Sequence, residues 1–346
     1  MEYRESKSVT LKDVARALGV SHVTVSLALR NDSRISDARI SEVKAKAEEL
    51  GYRPNAMATA LAHFRQAAKV HPDTASIAWL NFWENPSQLR GFAQFESYWT
   101  GATAAANRQG YHLDEFICNE GGMTLPKLES VLMNRGIIGI LVPPQRLAKG
   151  LDAFGWEKFH AVRFGRSVAQ PRLHMVTGDQ VANAMIAFER VRALGYRRIG
   201  YVFGRAFTSG ALFQAGYLMA QQTVPKSEQL PLLELPNPDR QKNQKSLEQW
   251  MERHKPDAIL TSMDELPSML AEAGYSVPRD VGLATMNVLD GGCDAGINQN
   301  PEEIGRVAML VLMSLIHDGA RGVPKIFRQI LIEGYWVDGS SMPSRL

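Results

Sequence analysis

The sequence has only two cysteines in 346 residues, Cys118 and Cys293. They are far apart, and neither has a second Cys or a His at metal-ligand spacing, so a disulfide scaffold and a zinc site are both excluded as organising features. No window approaches the roughly 18 to 20 consecutive apolar residues that a membrane span needs. The opening residues, MEYRESKSVT, are polar and mixed in charge, unlike a secretory signal. GxGxxG after a strand, a P-loop and GxSxG are all missing, which removes the commonest nucleotide-binding and hydrolase signatures. The expectation is a cytoplasmic protein with no cofactor, no metal, no membrane partner and no catalytic residues.

Charge is scarce too, at a formal +3, but it is unevenly placed. Residues 1–76 carry 12 Lys and Arg against 9 Asp and Glu, and the remainder is balanced at 27 of each. A mildly basic leader on a neutral body is the pattern of a nucleic-acid contact module attached to something larger. A chain this long also exceeds one ordinary domain.

Three short helices are predicted in the leader. Thr10-Leu11-Lys12-Asp13 has the form of a capping box, so a helix should begin at Leu11 and place Leu11, Val14, Ala15 and Leu18 on one face. Gly19-Val20 ends it, and Ser21 offers the cap of a second helix running from His22 to about Arg30. Val25, Ala28 and Leu29 turn inward there, leaving His22, Val23, Ser26, Leu27 and Arg30 outward or sideways. A third helix is expected from Asp37 to Leu50, capped by Ser36 and stopped at Gly51. Spacing alone fits a small helical bundle with no role in DNA binding equally well.

The residues themselves separate these readings. Asp13-Val14-Ala15, Gly19-Val20-Ser21, Thr24-Val25-Ser26 and Gly51-Tyr52-x-Pro54-Asn55 stand at the spacing of the TxxDVAxxAGVSxxTVSxxLN and GYxPN signatures. Residues 9–62 therefore resemble the headpiece of the lactose-repressor (LacI/GalR) family. The resemblance implies a helix-turn-helix whose second helix enters the major groove, with His22, Val23 and Leu27 at the positions that read bases. Arg is the commoner residue at position 27; Leu offers only apolar contact, for instance with a thymine methyl. Thr10, Ser21, Thr24 and Ser26 are candidates for phosphate contacts, although capping accounts for Ser21 as well. Arg30 is either a DNA contact or a solvated surface residue. Residues 54–62, PNAMATALA, resemble the hinge helix, implying minor-groove contact through Asn55, Ala58 and the wedge residue Leu61.

From Ala75 onward, β-rich runs alternate with helical stretches: SIAWLNF, 94–109, YHLDEF, 125–134, IIGILV. After an irregular stretch near 143–178 the series resumes with 181–194, RRIGYVF, 209–222, 241–254, DAILTS and VGLATM. Such alternation predicts parallel sheets covered on both faces, and the break between the series predicts two lobes. LGYRRIGYV, KPDAILTS and VPRDVGLATMN further resemble the family's sensor domain, which has the fold of type I periplasmic binding proteins. The expected organisation is a small all-α helix-turn-helix headpiece (1–53), a hinge helix and linker (54–74), and an α/β two-lobed effector-binding and dimerisation domain (75–346).

Ligands of open α/β sheets bind beyond the carboxyl ends of strands. That nominates Asn81, Phe82 and Trp83 after the first strand, Ser209 and Phe213 after RRIGYVFG, Asp264 after DAILTS, and Asn287 after VGLATM. The family usually has Arg, Asn and Asp where this chain has Phe213, Met263 and Asn287. Either the effector is unlike a simple hexose, or the pocket is degenerate. Asp179 reads as a helix cap and Pro143-Pro144 as a strand end. The reading is thus a dimeric repressor of a catabolic operon, binding a pseudo-palindromic double-stranded operator and answering to a small molecule such as a sugar or sugar derivative. An enzyme with a DNA-binding appendage and a transport-type solute-binding protein are the competing classes.

Overall fold

The computed structural model describes residues 9–29, 34–52, 75–145, 150–204, 210–236 and 239–346. The chain divides into two compact units, residues 1–69 and 70–346. In the first unit, α1 (Leu11–Leu18), α2 (His22–Leu29) and α3 (Asp37–Glu49) enclose a core of Val14, Ala15, Val25, Ala28, Val43 and Ala47. The α1 start is held by Asp13, whose carboxylate accepts both the Thr10 N–H (2.9 Å) and the Thr10 hydroxyl (2.6 Å). Gly19 ends α1 at φ 66°, a left-handed turn that a side chain would strain. It lets Val20 N–H bond back to Ala15 (3.1 Å) before α2 departs.

The second unit has two six-stranded sheets among the described residues. In the first, β1 (Ala75–Asn81) lies between β2 (Tyr111–Ile117) and β3 (Gly139–Val142). Beyond β3 come β4 (His160–Phe164), β5 (His174–Gly178) and, at the edge, β11 (Gln329–Ile332), all parallel. In β1, Ile77 and Trp79 enter one core and Ala78 and Leu80 the other, so the run 77–80 is apolar on both faces. Helices α4 (Pro86–Gly91), α5 (Ala93–Arg108) and α6 (Leu125–Asn134) lie in this first half.

The second sheet places β6 (Ile199–Gly204) between β7 (Leu233–Leu235) and β8 (Ala258–Thr261), followed by β9 (Gly282–Thr285), β10 (Gly296–Asn298) and the antiparallel edge strand β12 (Tyr335–Val337). Its helices are α7 (Gln180–Ala193), α8 (Gly210–Gln221), α9 (Arg240–His254) and α10 (Leu266–Glu272). Asp179 caps α7 by accepting from Ala182 N–H at 3.0 Å.

The last long helix, α11 (Pro301–Asp318), follows a second-sheet strand yet packs on the first sheet, with Ile304, Ala308, Met309 and Leu312 against Ile77 and Trp79. It meets α5 closely: a Cβ on Gly101 would lie 1.9 Å from the Glu302 carbonyl oxygen, and one on Gly305 2.1 Å from that of Tyr98. The chain therefore passes between lobes three times, near 178–180, 298–301 and 332–335.

These passages are tied together. Asp179 N–H donates to Ile332 O (2.8 Å), Gly334 N–H to Asn183 Oδ1 (2.7 Å), and the Asn300 side-chain amide to Glu333 O (2.9 Å). Asn300 takes φ 54°, a conformation Asn tolerates better than most residues. Asn183 is fully buried. Replacing it with alanine (N183A) should strand the Gly334 N–H and cost about 1–3 kcal/mol of stability, to be checked by equilibrium denaturation; a loss within about 0.5 kcal/mol, the surface-substitution level, would show that the passage is not held there.

Candidate functional site

Two surfaces carry the residues singled out above. On α2, Ser21, His22 and Val23 are exposed, and Thr24, Ser26 and Leu27 are half-buried. Ser21 Oγ accepts from Thr24 N–H at 3.0 Å, and the two hydroxyls are 2.8 Å apart. Both hydroxyls are thus engaged in the cap, while His22 and Val23 project from the first turn with no place in the core. Thr10 is exposed at the start of α1. Arg30, Asn55, Ala58 and Leu61 lie outside the described residues.

In the larger unit, a cleft of about 360 Å³ is lined by residues of both lobes. Its size falls within the range of small-molecule sites. Trp83, Phe213, Asp264 and Asn287 all line it, so four of the seven nominated residues converge. Asn81 and Phe82 do not line it. Asn81 is fully buried, with its side chain bonded to Pro86 O (3.0 Å), Glu115 Oε1 (2.8 Å) and Trp83 N–H (3.0 Å), so it sets the path of the chain that presents Trp83. Phe82 packs into the core on the other side with Leu80 and Phe116. Ser209 lies outside the described residues. Met263 is buried among apolar side chains.

Several lining residues come from a segment that looks irregular in the sequence. The stretch 143–178 contains β4 and β5, both buried along their length. Their polar residues are accommodated: His160 Nδ1 meets Ala320 O at 2.7 Å, and His174 Nδ1 accepts from Arg328 N–H at 3.2 Å. Burial lowers the pKa of both imidazoles. These strands look polar in sequence, yet Arg166 and Ser167 after β4 and Thr177 within β5 line the cleft, as does Gln145 after β3. The start of α5 adds an aromatic wall, with Trp83 to Phe92 at 5.8 Å, Phe92 to Phe95 at 5.4 Å and Phe95 to Tyr98 at 5.8 Å between ring centres. Trp83 Nε1 donates to Pro144 O at 2.7 Å, fixing the indole.

The two lobes also touch directly across the cleft. Asp290, between β9 and β10, accepts from Ala93 N–H (2.8 Å) and Gln94 N–H (3.0 Å), capping the N-terminus of α5 on the other lobe. Asn287 reinforces it, donating to Gln94 Oε1 (2.9 Å) and Asp290 Oδ2 (3.2 Å).

This combination defines a class, a DNA-binding transcriptional regulator. Residues 10–55 match the family model "Bacterial regulatory proteins, lacI family", and residues 188–342 match the periplasmic binding protein-like domain. The chain is 25% identical over 342 residues to the HTH-type transcriptional regulator MalR of Streptococcus pneumoniae, covering 93% of this chain and 97% of that one. It is 28% identical over 203 residues to the maltose regulon regulatory protein MalI of Escherichia coli, covering 58% and 55% of the two chains. Among solved structures, a CelR–cellobiose complex superposes with TM-score 0.57 at 20% identity, over 96% of this chain and 99% of that one. The lac repressor dimer bound to operator and the anti-inducer ONPF gives 0.55 at 18%, over 97% and 100%. The chain carries a lacI-family helix-turn-helix domain and a periplasmic binding protein-like domain, the pairing found in LacI-family transcriptional regulators. No described helix is long and apolar enough to cross a membrane.

The contact between Asp290 and α5 predicts a measurable effect. Removing the carboxylate (D290A) should raise the exchange rate of the Ala93 and Gln94 amides at least tenfold, since hydrogen bonds to a charged group contribute about 1.5–3 kcal/mol. Amide exchange followed by mass spectrometry reads this directly; unchanged protection would show that the lobes are held by other contacts.

Proposed function

We propose that the protein is a homodimeric repressor of a catabolic operon. It binds a pseudo-palindromic operator and is controlled by a small molecule, a sugar or sugar derivative, taken into the cleft between its lobes. The observation that carries the first half is the exposed first turn of α2, where His22 and Val23 project beside the Ser21 cap. In this reading His22, Val23 and Leu27 contact base edges. Thr10, Ser21, Thr24, Ser26 and Arg30 position the helix on phosphates, and Asn55, Ala58 and Leu61 act in the minor groove. The domain limits are 1–53, 54–74 and 75–346. The cleft, with Trp83, Phe213, Asp264 and Asn287 on its walls, supports the second half.

Control follows from population shift. A ligand favours whichever lobe arrangement it binds better, and that arrangement sets the spacing of the two headpieces and the order of the hinge segments. Two-fold symmetry of the dimer matches two half-sites. Named relatives across 93% of the chain are regulators, which favours this over catalysis.

Selection of bound fragments from genomic DNA should return a short palindrome, and retention of random DNA with no preference would refute the proposal. Against that palindrome, H22A should cost about 1–3 kcal/mol and relax the preference at one position of each half-site. Deleting residues 1–62 should abolish specific binding while leaving a folded dimer. L61A should reduce DNA bending in a phasing assay, and unchanged bending would exclude a wedge at that residue.

A further inference from the structure

The cleft is asymmetric in charge. On the second-sheet side it presents Asp264, Asp290 and the amide of Asn287. On the first-sheet side, the segment joining β4 to β5 presents Gly165, Arg166 and Ser167. Two further guanidinium groups stand behind that segment. Arg163 is 6% exposed, and its guanidinium donates to the backbone oxygens of Val168 and Leu173. It lies 5.5 Å from the ring centre of Phe327, and Arg172 lies over the same ring at 4.8 Å. Arg166 itself reaches Gln329 Oε1 at 2.8 Å. Arg163 and Arg172 meet carbonyls and a ring, groups that orient a guanidinium without neutralising it. Burial first, and then the like charges of Arg166 and Arg172, push the Arg163 pKa down to about 10, so it remains a cation at neutral pH. Arg163 and Arg172 thus place two guanidinium charges behind Arg166, a local field that favours an anion at this segment.

A second requirement comes from Gln180. This residue is 5% exposed and lines the cleft; its Nε2 donates to Thr177 Oγ1 (3.2 Å), while its buried Oε1 has no hydrogen-bond partner among the described residues. A buried acceptor left empty costs free energy, so the occupant should supply a donor there. Trp83, Phe95 and Phe213 add apolar faces suited to the C–H face of a sugar ring.

We propose that the effector is a hydroxylated anion, a sugar carrying a carboxylate or a phosphate. Its acidic group is bound by Arg166 and Ser167, with Arg163 and Arg172 strengthening the field behind them, and its hydroxyls are read by Gln180 and Asp264. This rests on the reading of the cleft as the effector site. It gives the loss of a guanidinium at position 213 a counterpart, because the cation of this pocket stands on the opposite lobe.

The test is calorimetric titration of the full chain with a panel of aldonates, uronates and sugar phosphates and their neutral parent sugars. At least one acidic member should bind tenfold or more tightly than its neutral parent, with affinity falling as salt is raised. Which arm responds separates carboxylate from phosphate. R166Q should weaken that ligand about 10- to 100-fold, R166K should recover part of the loss, and R172Q should cost only a few-fold. Binding of a neutral sugar as tightly as its acid, with R166Q indifferent, overturns the anion assignment and leaves the effector cleft standing. Absence of binding by the whole panel overturns the assignment as well. If Q180A and F213A then respond as the wild type does to cell extract metabolites that act on operator binding, the effector lies elsewhere and the cleft reading falls with it.

Discussion

The larger unit is organised by one constraint: the chain passes between its two lobes three times at a single place. Asn183, Asn300 and Gly334 bind those passages to one another through backbone and amide hydrogen bonds. Gly334 has no room for a side chain, since a Cβ there would sit 2.5 Å from Asn298 O. A bundle of three short, mutually bonded segments tolerates rotation about itself far better than sliding. It therefore leaves the lobes one easy motion, which opens or closes the cleft. Because α11 returns to pack on the first sheet after β10 has completed its place in the second, neither lobe can be assembled from one continuous stretch.

Opposite the hinge, Asp290 and Asn287 join the second lobe to the start of α5. The pair works as a carboxylate on a helix N-terminus, an interaction whose strength depends on geometry at the ångström scale and is lost when the lobes separate. The closed arrangement thus has a stabilising contribution that belongs to the protein alone. A ligand then shifts the balance only by its own preference between arrangements. Asn where the family usually has Asp at position 287 has a structural counterpart here, since the carboxylate is supplied by Asp290 three residues on, and the Asn amide is free to donate to it.

Legibility in the sequence followed the range of the interactions involved. The headpiece was readable almost to the residue, because caps at Thr10 and Ser21, the turn at Gly19 and the inward set Val14, Val25 and Ala28 are all local. In the larger unit, β1, β3, β6, β8 and β9 announce themselves by apolar runs. β4 and β5 do not, because HAVRF and HMVTG carry His, Arg and Thr into fully buried positions, and those residues are satisfied only by distant groups such as Ala320 and Arg328. The cleft inherited this gap. Residues on loops after strands evident in the sequence, Trp83, Asp264 and Asn287, reach it; Arg166 and Ser167, on the loop after β4, and Thr177, within β5, belong to strands that the sequence does not announce. Phe82 faces the opposite way from Trp83, as successive residues at a strand end do, while Asn81 shares the side of Trp83 but has its side chain engaged by Pro86, Glu115 and Trp83.

The charge pattern of the cleft bears on how sensing connects to closure. The cationic segment belongs to the first lobe, and the acidic and amide groups to the second, with the Asp290 contact nearby. An occupant that carries an anion at one end and hydroxyls at the other touches both lobes with different parts of itself. Each part can be satisfied fully only when the walls approach. A neutral ligand gripped by one wall gains nothing from closure and so exerts no leverage on it, whereas a bifunctional one gains its second set of contacts from the motion itself. That difference in contact free energy between open and closed arrangements is the quantity that regulation requires, and tightness of binding cannot substitute for it.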